Sequence, residues 1–214
     1  MIKTRKDLDY YIDCDLKSRG ISGVKAISLS NKIKAILIPS PWKYQLLLRK
    51  AEYYSNSSVS FRKVWGGYWK WRAYSYGLKC GYSIHLNCFG PGLCLTHCGT
   101  IVVNGGVKVG SNARIQAGVN IGAYSKLNEN WEEAAPILGN NIYIGPGAKV
   151  FGKIRIGNNV AIGANAIVSK DVPDNSTVIN ANQILPDKGS LDMLRYGDET
   201  VCPMNSYQHK ITKN

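Results

Sequence analysis

Between Glu52 and Glu129 the chain contains neither aspartate nor glutamate, although Arg62, Lys63, Lys70, Arg72, Lys79, Lys108, Arg114 and Lys126 all fall inside that stretch. Over the 214 residues, 27 Lys and Arg stand against 14 Asp and Glu, a formal net charge of +13. Such a span draws phosphate-rich ligands or an anionic surface. No recognised nucleic-acid reading module accompanies the cations, so nucleic acid is not an expected partner. Long apolar runs are also missing. The best of them, Ile33 to Ile38, falls far short of a bilayer span, and "MIKTRKDLDYYIDCD" lacks the apolar core of a signal peptide. A cytoplasmic protein is the expectation. The six cysteines (14, 80, 88, 94, 98 and 202) are not set in C-x-x-C pairs, which disfavours a zinc site, and Cys94 and Cys98 are expected to be small packing residues.

What the chain does have is a period of six. The leading residues are His97, Val103, Val109, Ile115 and Ile121, and then, after an interruption, Leu138, Ile144, Val150, Ile156, Ile162 and Val168. Four places after each leader stands a small or branched companion, from Ile101, Val107, Ala113, Val119 and Ser125 to Ile142, Ala148, Ile154, Val160, Ala166 and Val172. An amphipathic helix needs a period of 3.6, so this is not one. Six residues make one short flat strand, three such strands make a coil, and coils must stack to bury their open ends. Glycine and asparagine at the corners supply backbone angles that branched residues resist. A sandwich of short strands would space its strands irregularly. The expected fold is mainly β, a parallel β-helix over 81–185, with an N-terminal helical region over 1–80 and a tail over 186–214.

The phase is lost over 125–137, "SKLNENWEEAAPI", a polar stretch with Trp131, Glu129, Glu132 and Glu133. It reads either as a loop extruded over a functional site or as a tolerated surface insertion. Ahead of the repeat, "SPWKYQLLLRKAEYYS" predicts a helix with Ser40 as N-cap and Pro41 in its first turn. A second helix is predicted from about Ser60 to Tyr76, where Phe61, Val64, Trp65, Tyr68, Trp69 and Ala73 form a stripe decorated by Lys63, Lys70 and Arg72. Packing against the protein or a sister subunit is the default for that stripe, and peripheral contact with a membrane is the alternative.

His97 occupies a leading position that every other unit gives to an aliphatic residue. A residue that breaks a pattern is where function is expected. "HCGTIVVNG", then "VGSNARIQAGVNIG", a polar loop and "ILGNNIYIGPGAKVFGKIRIGNNVAIGANAIV" resemble the hexapeptide-repeat acyltransferases, whose β-helix is left-handed. The resemblance covers roughly 46 to 185 and points to the serine acetyltransferase-like branch. With "FGPGL" at 89–93 it is nearest to relatives encoded among capsule, exopolysaccharide and lipopolysaccharide genes.

The resemblance implies acetyl transfer from acetyl-CoA, with His97 as general base. An alcohol is a weak nucleophile at neutral pH, and an imidazole of ordinary pKa, about 6.5, can take its proton and return it to the departing thiolate. Main-chain N–H groups at glycine corners suit the developing oxyanion. A covalent acetyl-cysteine route through Cys98 is the second choice. The resemblance further implies a homotrimer holding CoA in a groove between prisms, at Gly122, Ala123, Pro146 and Ala164, with Lys170 toward phosphate.

This chain departs from serine acetyltransferases at telling places. Thr96 stands where an Asp precedes the histidine, Tyr82 or Ser83 where an Asp orients it, and Ala134-Ala135 where an Arg-His pair grips the carboxylate of serine. The closing Gly-Val-Pro-Ala is "NANQ" at 180–183. Asn87, a backbone carbonyl, or a glutamate of the loop (Glu132 or Glu133) is left to orient His97, with Asn87, Thr96, Glu132 and Glu133 as the substrate-side residues. The expected function is O-acetylation of a sugar or glycan precursor. Serine O-acetyltransferase and a noncatalytic prism scaffold are the alternatives.

Overall fold

The computed structural model describes residues 1–21, 39–58, 61–124, 133–179 and 183–185. Among the described residues, three helices precede the strands: α1 (Arg5–Lys17), α2 (Pro41–Asn56) and α3 (Arg62–Cys80). Helix α1 starts at a capping box in which the Thr4 hydroxyl accepts from the Asp7 N–H and the Asp7 carboxylate accepts from the Thr4 N–H. Helix α2 starts after Ser40 with Pro41 in its first turn, where a missing N–H is harmless. Helix α3 runs beyond the predicted end at Tyr76 and stops at Gly81, whose φ of 78° favours glycine.

From Tyr82 onward, the described residues form fourteen short strands in three sheets. One sheet orders β1 (Tyr82–Ile84), β3 (Ile101–Val103), β6 (Asn120–Gly122), β9 (Lys149–Phe151) and β12 (Ile167–Val168). A second holds β4 (Lys108–Val109), β7 (Ile137–Leu138) and β10 (Arg155–Ile156). The third runs through β2 (Cys94–Leu95), β5 (Ala113–Ile115), β8 (Ile142–Ile144), β11 (Val160–Ile162), β13 (Thr177–Ile179) and β14 (Gln183–Leu185). All pairings are parallel except β13 with β14. Ile142 pairs with Val160 and Lys149 with Ile167, so one turn of the coil is three hexads. Ala113 pairs with Ile142 across the interruption, which therefore leaves the register of the stack intact.

Every described leader and companion of the hexads is buried, His97 alone excepted. Each buried aliphatic contributes about 1.5–3 kcal/mol through removal from water. One corner column adds a polar ladder. Asn112, Asn141, Asn159 and Asn175 all take φ between 55° and 60°, and each side-chain amide donates to the next at 2.8–2.9 Å. Asparagine tolerates this backbone region better than other residues with a side chain, and here its side-chain N–H also finds the oxygen of the next asparagine in the column.

The helices grip the entry to the coil through a buried polar network. Arg49, fully buried, donates to both carboxylate oxygens of Asp15, to Glu52, and to the carbonyls of Phe89 and Gly90 at 2.7–3.2 Å. Asp15 accepts in turn from the N–H groups of Gly92 and Leu93 at 2.9 and 2.8 Å, and Glu52 from that of Asn87 at 2.8 Å. Burial pulls the Arg49 pKa down, but the carboxylates of Asp15 and Glu52 outweigh it, so the guanidinium is held charged. "FGPGL" is thereby tied to both α1 and α2.

Candidate active site

His97 lies on the bend between β2 and β3 with its side chain exposed. Its neighbours are tied down one by one. Leu95 gives its carbonyl to Arg19 and its N–H to Gln45 at 3.0 Å. The Thr96 hydroxyl lies 2.6 Å from the Gln116 side-chain oxygen, one coil below, and the Thr96 N–H donates to the Ile115 carbonyl at 3.2 Å. The carbonyl of His97 itself accepts from the Tyr82 hydroxyl at 2.7 Å. Gly99 donates its N–H to the Cys80 carbonyl at 2.8 Å, and the Cys98 thiol lies 3.5 Å from the Pro39 carbonyl. Among the described residues no side chain hydrogen-bonds the imidazole. The result is a free ring on a fixed backbone.

Gly99 lets that bend sit low on the prism. Its φ is 149°, and a Cβ there would come within 2.9 Å of the Ala117 methyl group. Tyr82 is buried with its ring edge-on to Tyr44, the centroids 4.9 Å apart. Burial, with the nearby thiols of Cys98 and Cys80, raises its pKa well above the ordinary phenol value, so it keeps its proton as a donor. Cys80 and Cys88 are both pushed up to about 12, chiefly by burial. Cys94 is buried as expected, whereas Cys98 is exposed rather than packed, because the bend turns it outward beside His97.

The bend heads a column of corners. Gly118 donates to the Thr100 carbonyl at 2.7 Å, Gly147 to that of Ala117 at 2.9 Å, and Asn165 to that of Pro146 at 2.9 Å. Pro146 and Ala164 are exposed corners one turn apart in this column. Gly122 ends β6 at the opposite edge of the same sheet, Ala123 follows it, and Lys170 follows β12. A Cβ at Gly122 would meet nothing within 4 Å, so space is open there. The five positions expected to meet CoA therefore flank one face of the prism, with His97 at the head of one edge. Lys149 lies on β9 of that face and donates to the Gly118 carbonyl at 2.7 Å. It was not among the expected site residues, although its place on the strand three residues after the Pro146 corner was an available signal.

Other expectations are not brought together. Asn87 lies at a different corner, its amide paired with that of Asn56 at 2.7 and 3.2 Å, and so it is committed to α2 rather than to His97. Glu132, with Glu129 and Trp131, lies outside the described residues. Glu133 is exposed where the described chain resumes. Ala134 and Ala135 are buried, Ala135 within the prism core. A groove of about 440 Å³ lined by Ile137, Arg155, Ile156, Asp171 and Val172 lies along the sheet of β4, β7 and β10, away from the His97 face. Among the described residues no cluster of His, Cys, Asp or Glu could hold a metal ion, and no helix is long and apolar enough to cross a membrane.

The coil is the left-handed parallel β-helix of the solved serine acetyltransferases. That of Brucella abortus superposes over 87% of this chain and 72% of its own, with a TM-score of 0.66 and 22% identity. That of Neisseria gonorrhoeae covers 83% of this chain and 65% of its own, with a TM-score of 0.62 and 24% identity. In sequence, the chain is 37% identical over 102 residues to the serine acetyltransferase of Helicobacter pylori J99, 47% of this chain and 58% of that protein. It is 38% identical over 103 residues to that of Synechococcus elongatus, 48% of this chain and 41% of that protein. The match thus spans about half the length of these relatives. No family model matches the chain. None of the relatives named above is a capsule or exopolysaccharide enzyme, so the expected nearness to that group gains no support from them.

Proposed function

We propose that the protein is an acetyl-CoA-dependent O-acetyltransferase in which His97 is the general base. The acceptor hydroxyl attacks the thioester carbonyl as His97 takes its proton, the C–S bond breaks, and the imidazolium returns the proton to the CoA thiolate, leaving an O-acetyl ester. The observation that carries this reading is an exposed imidazole on a bend fixed on both sides, replacing the one aliphatic leader that would otherwise be buried. The serine acetyltransferases among the relatives support the donor and favour L-serine as acceptor. A trimer would close the His97 face into a groove with a neighbouring prism, placing Gly122, Ala123, Pro146, Ala164 and Lys170 along CoA.

A second acceptor reading rests on Ala134 and Ala135. Both are buried and neither bears a cation, where the resemblance places an Arg-His clamp for the serine carboxylate. A sugar hydroxyl needs no such clamp. Thiol release from acetyl-CoA, measured with L-serine and separately with a panel of nucleotide sugars and oligosaccharides, tests both. His97→Ala should lower release with the true acceptor by about 10²–10⁴-fold while leaving the circular dichroism spectrum unchanged. Undiminished turnover in that variant removes the base. No release with any acceptor and no CoA binding by calorimetry would leave a prism scaffold.

A further inference from the structure

Helix α3 buries its small residues and exposes its large ones. Gly66, Ala73, Gly77 and Cys80 face the protein. A Cβ at Gly66 would lie 3.3 Å from the Tyr54 carbonyl, and one at Gly77 would lie 2.9 Å from the Tyr82 carbonyl and 3.0 Å from the Tyr44 ring. The helix is therefore already seated as closely as its backbone allows. On the opposite side Phe61, at the cap, with Val64, Tyr68, Trp71 and Leu78, follows the three- and four-residue spacing of one helical stripe. Their exposures are 79%, 68%, 39%, 62% and 63%. Trp65 and Tyr74, also exposed, widen the stripe on either side. Of the aromatic stripe expected to pack, Trp69 and Ala73 do so, against Leu47, Ala51 and Leu86, and Trp65, though exposed, has its ring centroid 6.2 Å from that of Tyr54. The outer stripe is what sequence periodicity alone merged with them.

Charge identifies the occupant. Lys63, Lys70 and Lys79 are exposed around the stripe, and Arg72 lies over the Tyr68 ring, donating to its hydroxyl at 2.7 Å. The helix and its flanks hold no acid at all. Two copies meeting through this face would oppose cation to cation with no counter-charge. A polyanion such as nucleic acid would satisfy the lysines but leave Val64, Trp71 and Leu78 in water. An anionic bilayer surface satisfies both, with phosphates at the lysines and the interface of headgroups and acyl chains at the aromatic and aliphatic side chains. We propose that the outer face of α3 is a peripheral docking surface for anionic lipid, lying in the plane of the interface and not crossing it. The inference does not depend on the acetyltransferase reading.

The test is co-sedimentation of the full chain with vesicles of phosphatidylcholine alone and of phosphatidylcholine with phosphatidylglycerol, at low and high salt. Binding is expected only to the anionic vesicles and should weaken as salt rises. Lys63→Gln with Lys70→Gln and Lys79→Gln should lower partitioning on the order of 100-fold. Trp71→Ser with Leu78→Ser should abolish it, and since those side chains are exposed the thermal unfolding midpoint should not move. Equal binding to both vesicle types, or none to either, overturns the proposal. So does a fall in molar mass by light scattering in the Trp71→Ser, Leu78→Ser variant without loss of vesicle binding, which would make the face a contact between copies. Binding to a DNA oligonucleotide as tight as to anionic vesicles, and unaffected by that variant, would reassign the patch to general polyanion attraction.

Discussion

The buried hydroxyl of Tyr82 donates to the main-chain carbonyl of His97 across 2.7 Å, joining the first strand of the coil to the bend that presents the imidazole. Tyr82 stands at one of the two places where the resemblance puts an orienting aspartate. It acts on the backbone and not on the ring, which makes it a positioning residue.

Removing that hydroxyl alone should separate positioning from folding. Tyr82→Phe keeps the edge-on contact with Tyr44 and loses one hydrogen bond, so stability should fall by only about 1 kcal/mol. In the thiol-release assay kcat should drop roughly 3- to 10-fold with KM for acetyl-CoA little changed, because the bend loosens while the corner columns stay intact. A rise in KM with unchanged kcat would place Tyr82 in donor binding instead.

How much of this was legible in the sequence depends on which side of each element faces the protein. The period of six located the leaders and companions, since a buried aliphatic at a fixed spacing leaves an unambiguous trace, and the same regularity made His97 visible as its one exposed exception. The asparagine and glycine corners were legible for the same reason. Helix α1 falls inside the helical region expected over 1–80 but was not placed individually, although Thr4 and Asp7 carry a capping signature, because its buried face includes Tyr11, Cys14 and Asp15 and shows little apolar periodicity. Gln45, Arg49 and Glu52, spaced along one side of α2, are polar and charged yet buried. They are buried because their partners are the main-chain groups of 87–95 and Asp15, which no hydropathy pattern encodes. Asn87 was one of three candidates left to orient His97 once no local carboxylate was found, whereas the coil carries it to Asn56.

The two thiols nearest His97 should behave differently. Cys98 is exposed, while Cys80 is buried with its thiol pushed up to about 12, so almost none of it is thiolate at neutral pH. Maleimide labelling of the native protein at pH 7.5, mapped by peptide mass, should modify Cys98 on the order of 100-fold faster than Cys80, Cys88 or Cys94. Cys98→Ala should retain thiol release within about threefold, as a base mechanism requires no sulfur nucleophile. Loss of turnover in that variant, together with an acetyl group found on Cys98 in the unmodified chain, would turn the mechanism into a covalent one.

Arg49 offers the sharpest test of how the helices hold the approach to the bend. Its guanidinium is fully buried between Asp15 and Glu52 and reaches the carbonyls of Phe89 and Gly90 as well. Arg49→Met fills similar volume but strands two carboxylates and two carbonyls, and should lower the unfolding free energy by about 3–5 kcal/mol, read from the urea midpoint. Adding Asp15→Asn and Glu52→Gln to that variant should recover part of the loss, because neutral amides cost less to bury unpaired than carboxylates do. If the triple variant is instead less stable than Arg49→Met, the hydrogen bonds of Asp15 to Gly92 and Leu93, and of Glu52 to Asn87, outweigh the burial of charge, and the network's main task is to shape the 87–95 segment.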